Sequence, residues 1–323
     1  MSLRVSTNGR ALARSAALAA VAAMVATLLS AVTVSGATSA SGAEPTAQPT
    51  AQPTAQRTTG ARPWYGSSVY RENGETMREA YDRVRRKYGG SLDTVRMFFP
   101  GMPGSWSTIR KNVGRTPVVV SFKADPADVL AGRHDAAFRT WFREAPTTRR
   151  TFWTYWHEPE NDSVSPSTYR AAWQHLSGLA DQVGNRKLKA TLILMCWTLD
   201  PKSGRTWKSW YPGSRAIDVL GFDCYNVGRK NGVYKHPEDI LRPVVRVSRR
   251  TGKPFGIAEF GTVVIEGDGG KRGRARWLRQ YAREVRQHGG RFATYFDSPV
   301  GGVDFRLKDT VSTQAWREVV QTW

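Results

Sequence analysis

The sequence predicts a single closed (β/α)8 barrel of the TIM type, in the α/β class, and three observations lead there. Eight short runs of β-branched and aromatic residues recur along residues 63–323, and most are apolar on both faces. Amphipathic stretches of helical period separate them, a pattern that belongs to parallel sheets covered by helices. The span of residues 63–323 also has the size of such a barrel, about 250 residues. An open doubly wound sheet is the competing architecture, but no glycine-rich phosphate fingerprint follows the first strand.

In chain order, residues 1–43 contain no acid, carry Arg4, Arg10 and Arg14, and run apolar from about Ser15 to Val34 before a series of small residues. This is the pattern of a secretory signal peptide, with Thr38-Ser39-Ala40 or Ser41-Gly42-Ala43 as cleavage triplets. A retained membrane anchor competes with it, because the run approaches the ~20 residues that span a bilayer. No basic stop-transfer cluster follows, so a secreted, extracellular protein is expected. Residues 44–62 repeat PTAQ in tandem and hold no apolar side chain larger than alanine. Such a segment cannot build a core and reads as an extended linker.

Strands are expected at WYGSSVY from Trp64, TVRMFF from Thr94, TPVVVSF from Thr116 and TFWTYWHE from Thr151. The second half supplies KATLILMCW from Lys189, IDVLGFDCYN from Ile217, PFGIAEFG from Pro254 and FATYFDS from Phe292. Helical period fills the connections from Gly74, His134, Pro166, His236 and Arg272, and the final stretch STQAWREVVQTW. Capping residues such as Ser165 open several of these helices and glycines close several. After the second and fifth strands the periodicity is weak, and short helices are expected there.

The formal net charge is +21, or three less without the arginines of the leader. Such a charge draws a protein towards anionic surfaces, wall polymers or acidic glycans. The basic residues are scattered and no nucleic-acid-binding motif accompanies them, so nucleic acid is not an expected partner and a monomer is. An arginine-rich composition is by itself enough to produce the charge. Cys196 and Cys224 are too few for a disulfide framework and lack metal spacing; they form one bridge or stay buried as small apolar residues. The string HEPEN does not make a zinc helix, since Asn161 stands where the second histidine should be and Pro159 breaks the helix. No metal and no organic cofactor is expected.

Active residues of such barrels sit at the carboxyl ends of the strands. Glu158 is expected to end the fourth strand and Glu259 the seventh, which lets them face each other across the mouth. Glycoside cleavage with retention needs two carboxyls about 5–5.5 Å apart, one as acid and base and one as nucleophile. Their proximity separates the roles, because an ionised nucleophile keeps its neighbour protonated. Glu160 lies on the same side of an extended strand and is a reserve acid. Glu266 falls in a glycine-rich loop and is expected to be solvated. Asp223 and Asp297, at the ends of strands six and eight, either bond sugar hydroxyls or hold arginines. Trp197, Trp207, Trp210 and Tyr211 after strand five and Trp106 after strand two either stack on sugar rings or pack the barrel rim.

The strings WYGSSVYRENGET, YWHEPE, DVLGFDCYN and FGIAEFG together resemble glycoside hydrolase family 26, a retaining barrel family that includes β-mannanases. The resemblance runs over residues 63–323. It implies that Glu158, preceded by His157, is the acid/base and Glu259 the nucleophile. It further implies that Tyr225 holds the nucleophile by a hydrogen bond and that His157 lies beside the sugar in the cleavage subsite. The chain departs from the family's mannanases in having Tyr155-Trp156 before His157 and Pro159-Glu160 after Glu158, and after strand eight it offers Phe296 in TYFDSP where many members of the clan place a tryptophan beneath the sugar. The expectation is a secreted retaining glycoside hydrolase acting on a β-linked polysaccharide, with β-mannan first. The alternative is a barrel that binds glycan or cell wall without turnover.

Overall fold

The computed structural model describes residues 61–226 and 232–323. The expected signal peptide, and all of the expected linker except residues 61 and 62, lie outside the described residues. Eight parallel strands close into one barrel: β1 (Trp64–Ser68), β2 (Thr94–Phe99), β3 (Val118–Phe122), β4 (Thr151–Tyr155), β5 (Leu188–Met195), β6 (Val219–Asp223), β7 (Phe255–Phe260) and β8 (Phe292–Tyr295). Each pairs with the next, and β8 returns to β1 with Trp64 opposite Phe292.

The surrounding helices are α1 (Met77–Lys87), α2 (Trp106–Val113), α3 (Pro126–Leu130), α4 (Asp135–Glu144), α5 (Pro166–Val183), α6 (Pro237–Thr251), α7 (Arg272–Gln287) and α8 (Thr310–Thr322). Short-range chemistry sets their ends. Thr76 and Glu79 form a reciprocal capping box at the start of α1, and the Ser165 hydroxyl accepts from the Thr168 amide at the start of α5. After β5 the described chain makes only short 3-10 turns, Cys196–Leu199, Pro201–Ser203, Trp207–Trp210 and Ser214–Ala216. A small antiparallel hairpin, β9 (Pro299–Val300) with β10 (Val303–Asp304), follows β8.

Strand alternation builds two apolar layers. Val119, Phe152, Ile193, Val219, Ala258 and Phe292 point inward and fill the barrel, with the Phe152 and Phe292 ring centroids 4.5 Å apart. Their neighbours Val118, Val120, Trp153 and Leu192 join the layer between strands and helices. Gly256 makes room for this plug: a Cβ there would lie 2.4 Å from the Phe292 ring.

Several strands end earlier than their apolar runs suggest, among them the fourth, fifth and sixth, which border the candidate site. The fourth was expected to reach Glu158 but stops at Tyr155, because Trp156 and Glu158 both take left-handed backbone, with φ of 50° and 51°. The fifth stops before Cys196-Trp197, where a 3-10 turn takes over and the Thr198 hydroxyl donates to the Met195 carbonyl. The sixth stops at Asp223, and Cys224 is bridged to Cys196 with Cα atoms 5.0 Å apart. Of the two readings of the cysteines, the bridge is the one present.

Candidate active site

Glu158, Asp223 and Glu259 bring carboxylate oxygens within 4.8 Å of one another at the carboxyl end of the barrel. Each arrives by a different route. Glu158 projects from the β4–β5 connection, its amide donating to the Ile193 carbonyl at 3.0 Å and its Oε2 accepting from Asn161 Nδ2 at 3.1 Å. Asp223 is the last residue of β6 and stands opposite Glu259 in the parallel register.

Glu259 depends on an irregularity. Between Phe222 and Asp223 of β6 the partner in β7 steps from Ile257 to Glu259, and β8 sees the same extra residue between Ile257 and Phe260. Strict alternation would put Ala258 and Glu259 on opposite faces. Ala258 belongs to the interior plug, so the bulge is what lets Glu259 join the same interior space. There it is 5% exposed, accepts from the Tyr225 hydroxyl at 2.6 Å and lies 3.3 Å from Nη2 of the fully buried Arg96.

The two glutamates differ electrostatically. Burial, and then the negative charge of Glu259, push the Glu158 carboxyl up to about 7. Burial also raises Glu259, but the Arg96 charge and the Tyr225 hydrogen bond act against it. Glu259 is therefore the member of the pair to ionise, and Glu158 the one to keep its proton. Asp223 is fully buried with no hydrogen-bond partner on either oxygen, and burial with two acidic neighbours raises it well above the ordinary range. The same causes favour its protonated form beside the other two.

His157 is half-buried against Phe98, with ring centroids 5.3 Å apart, and its Nδ1 has no partner. Burial and the charges of Lys123 and Arg96 hold it well below the ordinary imidazole value, so it is neutral near pH 7. Phe296 packs edge-on against Tyr225 at 5.8 Å. Trp197 is half-buried, and the Arg205 guanidinium covers its ring at 4.6 Å. A cavity of about 520 Å³ adjoins the ends of β1 and β2, lined by Tyr70, Arg71, Phe98 and Arg96.

Other candidates lie elsewhere. The 3-10 turn Pro159–Asn161 carries Glu160 into the wall, where its Oε1 accepts from the Met195 amide and its Oε2 is buried without a partner. Asp297 holds a lysine rather than an arginine, with Lys87 Nζ at 2.6 Å, and accepts from the Leu307 amide. Glu266 is exposed. Trp106 and Trp210 are buried packing residues, Trp106 donating to the Trp141 carbonyl. Trp207 and Tyr211 are half-buried and pack edge-on against each other at 5.3 Å.

The residue that sequence reasoning passed over is Arg96. Its signal was available: a cation at an inward position of TVRMFF must find an acid, since an isolated buried charge is costly. Lys123, paired with Asp162 at 2.6 Å, adds a second positive charge near the mouth. The three carboxylates have the spacing of cation ligands, but the Arg96 guanidinium already neutralises Glu259 and opposes a metal ion there. What the geometry offers is a carboxyl that favours its protonated form beside one that favours ionisation, at the carboxyl end of the barrel.

Neither a family model nor a curated protein matches the chain. Solved structures do match it. An exo-β-1,4-mannosidase from Opitutaceae bacterium strain TAV5 aligns at 14% identity with a TM-score of 0.58, over 81% of this chain and 61% of that one. A glucosidase from Croceicoccus marinus aligns at 12% identity and TM-score 0.54, over 83% and 69%. The catalytic domain of a family 26 endo-β-1,4-mannanase from Bacillus sp. JAMB-750 aligns at 14% and 0.52, over 82% and 87%. At such identities the likeness is one of fold, and the fold shared is the (β/α)8 barrel.

Proposed function

We propose that the protein is a retaining glycoside hydrolase that cleaves a β-linked polysaccharide, with β-mannan the first candidate. The observation that carries this reading is the pair Glu158 and Glu259, whose oxygens approach within 4.8 Å in contrasting surroundings. That separation favours retention, since inversion leaves roughly 6.5–9.5 Å for a water between the carboxyls. Several barrels that share the fold are glycosidases by name, and two of them act on β-1,4-mannosidic bonds. The resemblance to family 26 points the same way.

In this mechanism Glu259 attacks the anomeric carbon while Glu158 passes its proton to the departing glycosidic oxygen. Glu158 then takes a proton from water, which displaces Glu259 and releases the sugar with retained configuration. Tyr225 and Arg96 keep Glu259 ionised and oriented. Neutral His157 and the cavity at β1 and β2 are placed to receive the sugar ring and its neighbours along the chain. The expected leader and linker suit an enzyme exported to meet a polymer that cannot enter the cell.

The test is release of new reducing ends from mannan, glucomannan, mixed-linkage β-glucan and xylan by the parent protein, Glu158→Ala and Glu259→Ala. One glycan is expected to be cleaved, with loss of about 10²–10⁴-fold in Glu158→Ala and no detectable turnover in Glu259→Ala. With a substrate bearing an activated leaving group, azide should restore turnover to Glu158→Ala and yield a β-glycosyl azide. Glycan binding without product, indifferent to Glu259→Ala, would sink the reading in favour of a non-catalytic barrel.

A further inference from the structure

We propose that the end of the barrel opposite the carboxylates is a docking face for a flexible, phosphodiester-linked polyanion of the cell envelope. This inference stands independently of the catalytic reading. All eight strands run the same way, so the loops that enter them gather at one end and the candidate site lies at the other.

At the entering end, the loops into β3, β4, β5, β7 and β8 bring Arg115, Arg149, Lys187, Lys253 and Arg291. Arg150 and Arg186 double the charge in two of those loops, and all seven residues are exposed or half-buried. Among the described residues none of the seven forms an ion pair, although ion pairs are common elsewhere on this surface. The acids at this end are few. Asp93 is held by Arg62 at 2.8 Å, Asp218 lies 4.0 Å from Lys189, half-buried Glu284 in the last turn of α7 lies 3.5 Å from His288, and Glu144 and Asp181 are exposed at the ends of α4 and α5. The cations crowd one another instead: burial and the charges of Arg115 and Arg110 push Arg149 below its ordinary value.

The form of the face selects among anions. The hollow between Arg110 and Arg149 measures about 10 Å³, room for roughly one water, so no enclosed site awaits a free phosphate. What the face presents is repeated charge around the rim of a cylinder. A flexible chain with one charge per repeat can follow that curve. Duplex DNA, with a persistence length of about 50 nm, is straight on this scale and touches only one side. Guanidinium forks match phosphate oxygens in geometry and hold their charge at any working pH. The chain also enters β1 at this end, through Arg62 and Pro63.

The experiment measures binding of the purified full-length protein to poly(glycerol phosphate), to duplex DNA of equal total charge and to neutral dextran. The phosphate polymer should bind, with affinity falling at least tenfold between 50 and 200 mM salt, as expected for release of counterions. Arg149→Gln, Arg150→Gln, Arg186→Gln and Lys187→Gln combined should weaken it tenfold or more. A control removing the same charge from the outer faces of α6 and α7, with Arg246, Arg272, Arg276 and Arg283 changed to Gln, should alter it less than twofold. Should the first combination fail to fold, Arg149→Gln with Arg150→Gln, and Arg186→Gln with Lys187→Gln, serve as two separate variants, each expected to weaken binding threefold or more. Equal weakening by both fourfold sets, tighter binding of the duplex, or no binding of the phosphate polymer overturns the proposal.

Discussion

Glu158 and Glu160 are the same amino acid two positions apart, and their surroundings give them different chemistry. Glu158 faces an anionic partner across open space, whereas Glu160 is sealed in the wall, where burial pushes it up to about 8. In the proposed mechanism Glu158 must hold a proton to assist departure, so kcat/KM is expected to fall as pH rises through about 7. A pH–rate profile checks this, and Glu158→Gln should lose that alkaline limb along with most of the rate. Glu160 makes a different prediction, for stability. Its folded pKa lies above its unfolded value of about 4.5, so the folded state binds the proton more tightly and stability declines between those two values as pH rises. Glu160→Gln keeps the acceptor for the Met195 amide and removes that decline, a gain on the order of a few kcal/mol at pH 9 and none near pH 4. Urea midpoints at both pH values measure it. The glutamate pair was legible because an apolar strand that runs straight into two acids gains nothing from them in packing. Which of them turns inward was not, since it rests on the left-handed backbone of Trp156 and Glu158, a conformation no side-chain pattern announces.

The elements that hold the site are the irregular ones. The bridge between Cys196 and Cys224 ties the turn carrying Trp197 to the end of β6, immediately between Asp223 and Tyr225. It closes a loop across a sequence separation of 28 residues, worth about 3–4 kcal/mol in the chain-entropy picture. Changing both cysteines to serine should therefore lower the midpoint of thermal unfolding by several degrees. It should also raise KM or lower kcat, because Tyr225 loses one side of its support; calorimetry and kinetics on the folded variant check the two effects separately. The existence of each strand was readable from β-branched and aromatic runs, and the helices from their caps and period. The strand ends and the extra residue in β7 were not readable. A bulge changes which face a residue takes without changing composition or hydrophobicity, and the β5–β6 connection has no period to follow.

At the scale of the whole molecule, the last helix packs over the seam where β8 meets β1. Trp316 of α8 is fully buried, donates to the Gly66 carbonyl at 3.2 Å and packs against Tyr65, Phe260 and Tyr295. Trp316→Ala is expected to cost about 3–5 kcal/mol, visible as a lower denaturant midpoint with an unchanged slope. The closed architecture was legible because eight repeats of one pattern leave a parallel sheet little choice but to curl and join its ends. The polarity of that architecture has a practical consequence. Each repeat passes once through the mouth and once through the base, and the strand between them is a rigid spacer. On the two proposals made above, libraries confined to the segments leaving the strands would explore which sugars are cleaved. Those confined to the segments entering them would explore what the molecule adheres to. The two traits can thus be bred independently in one small protein.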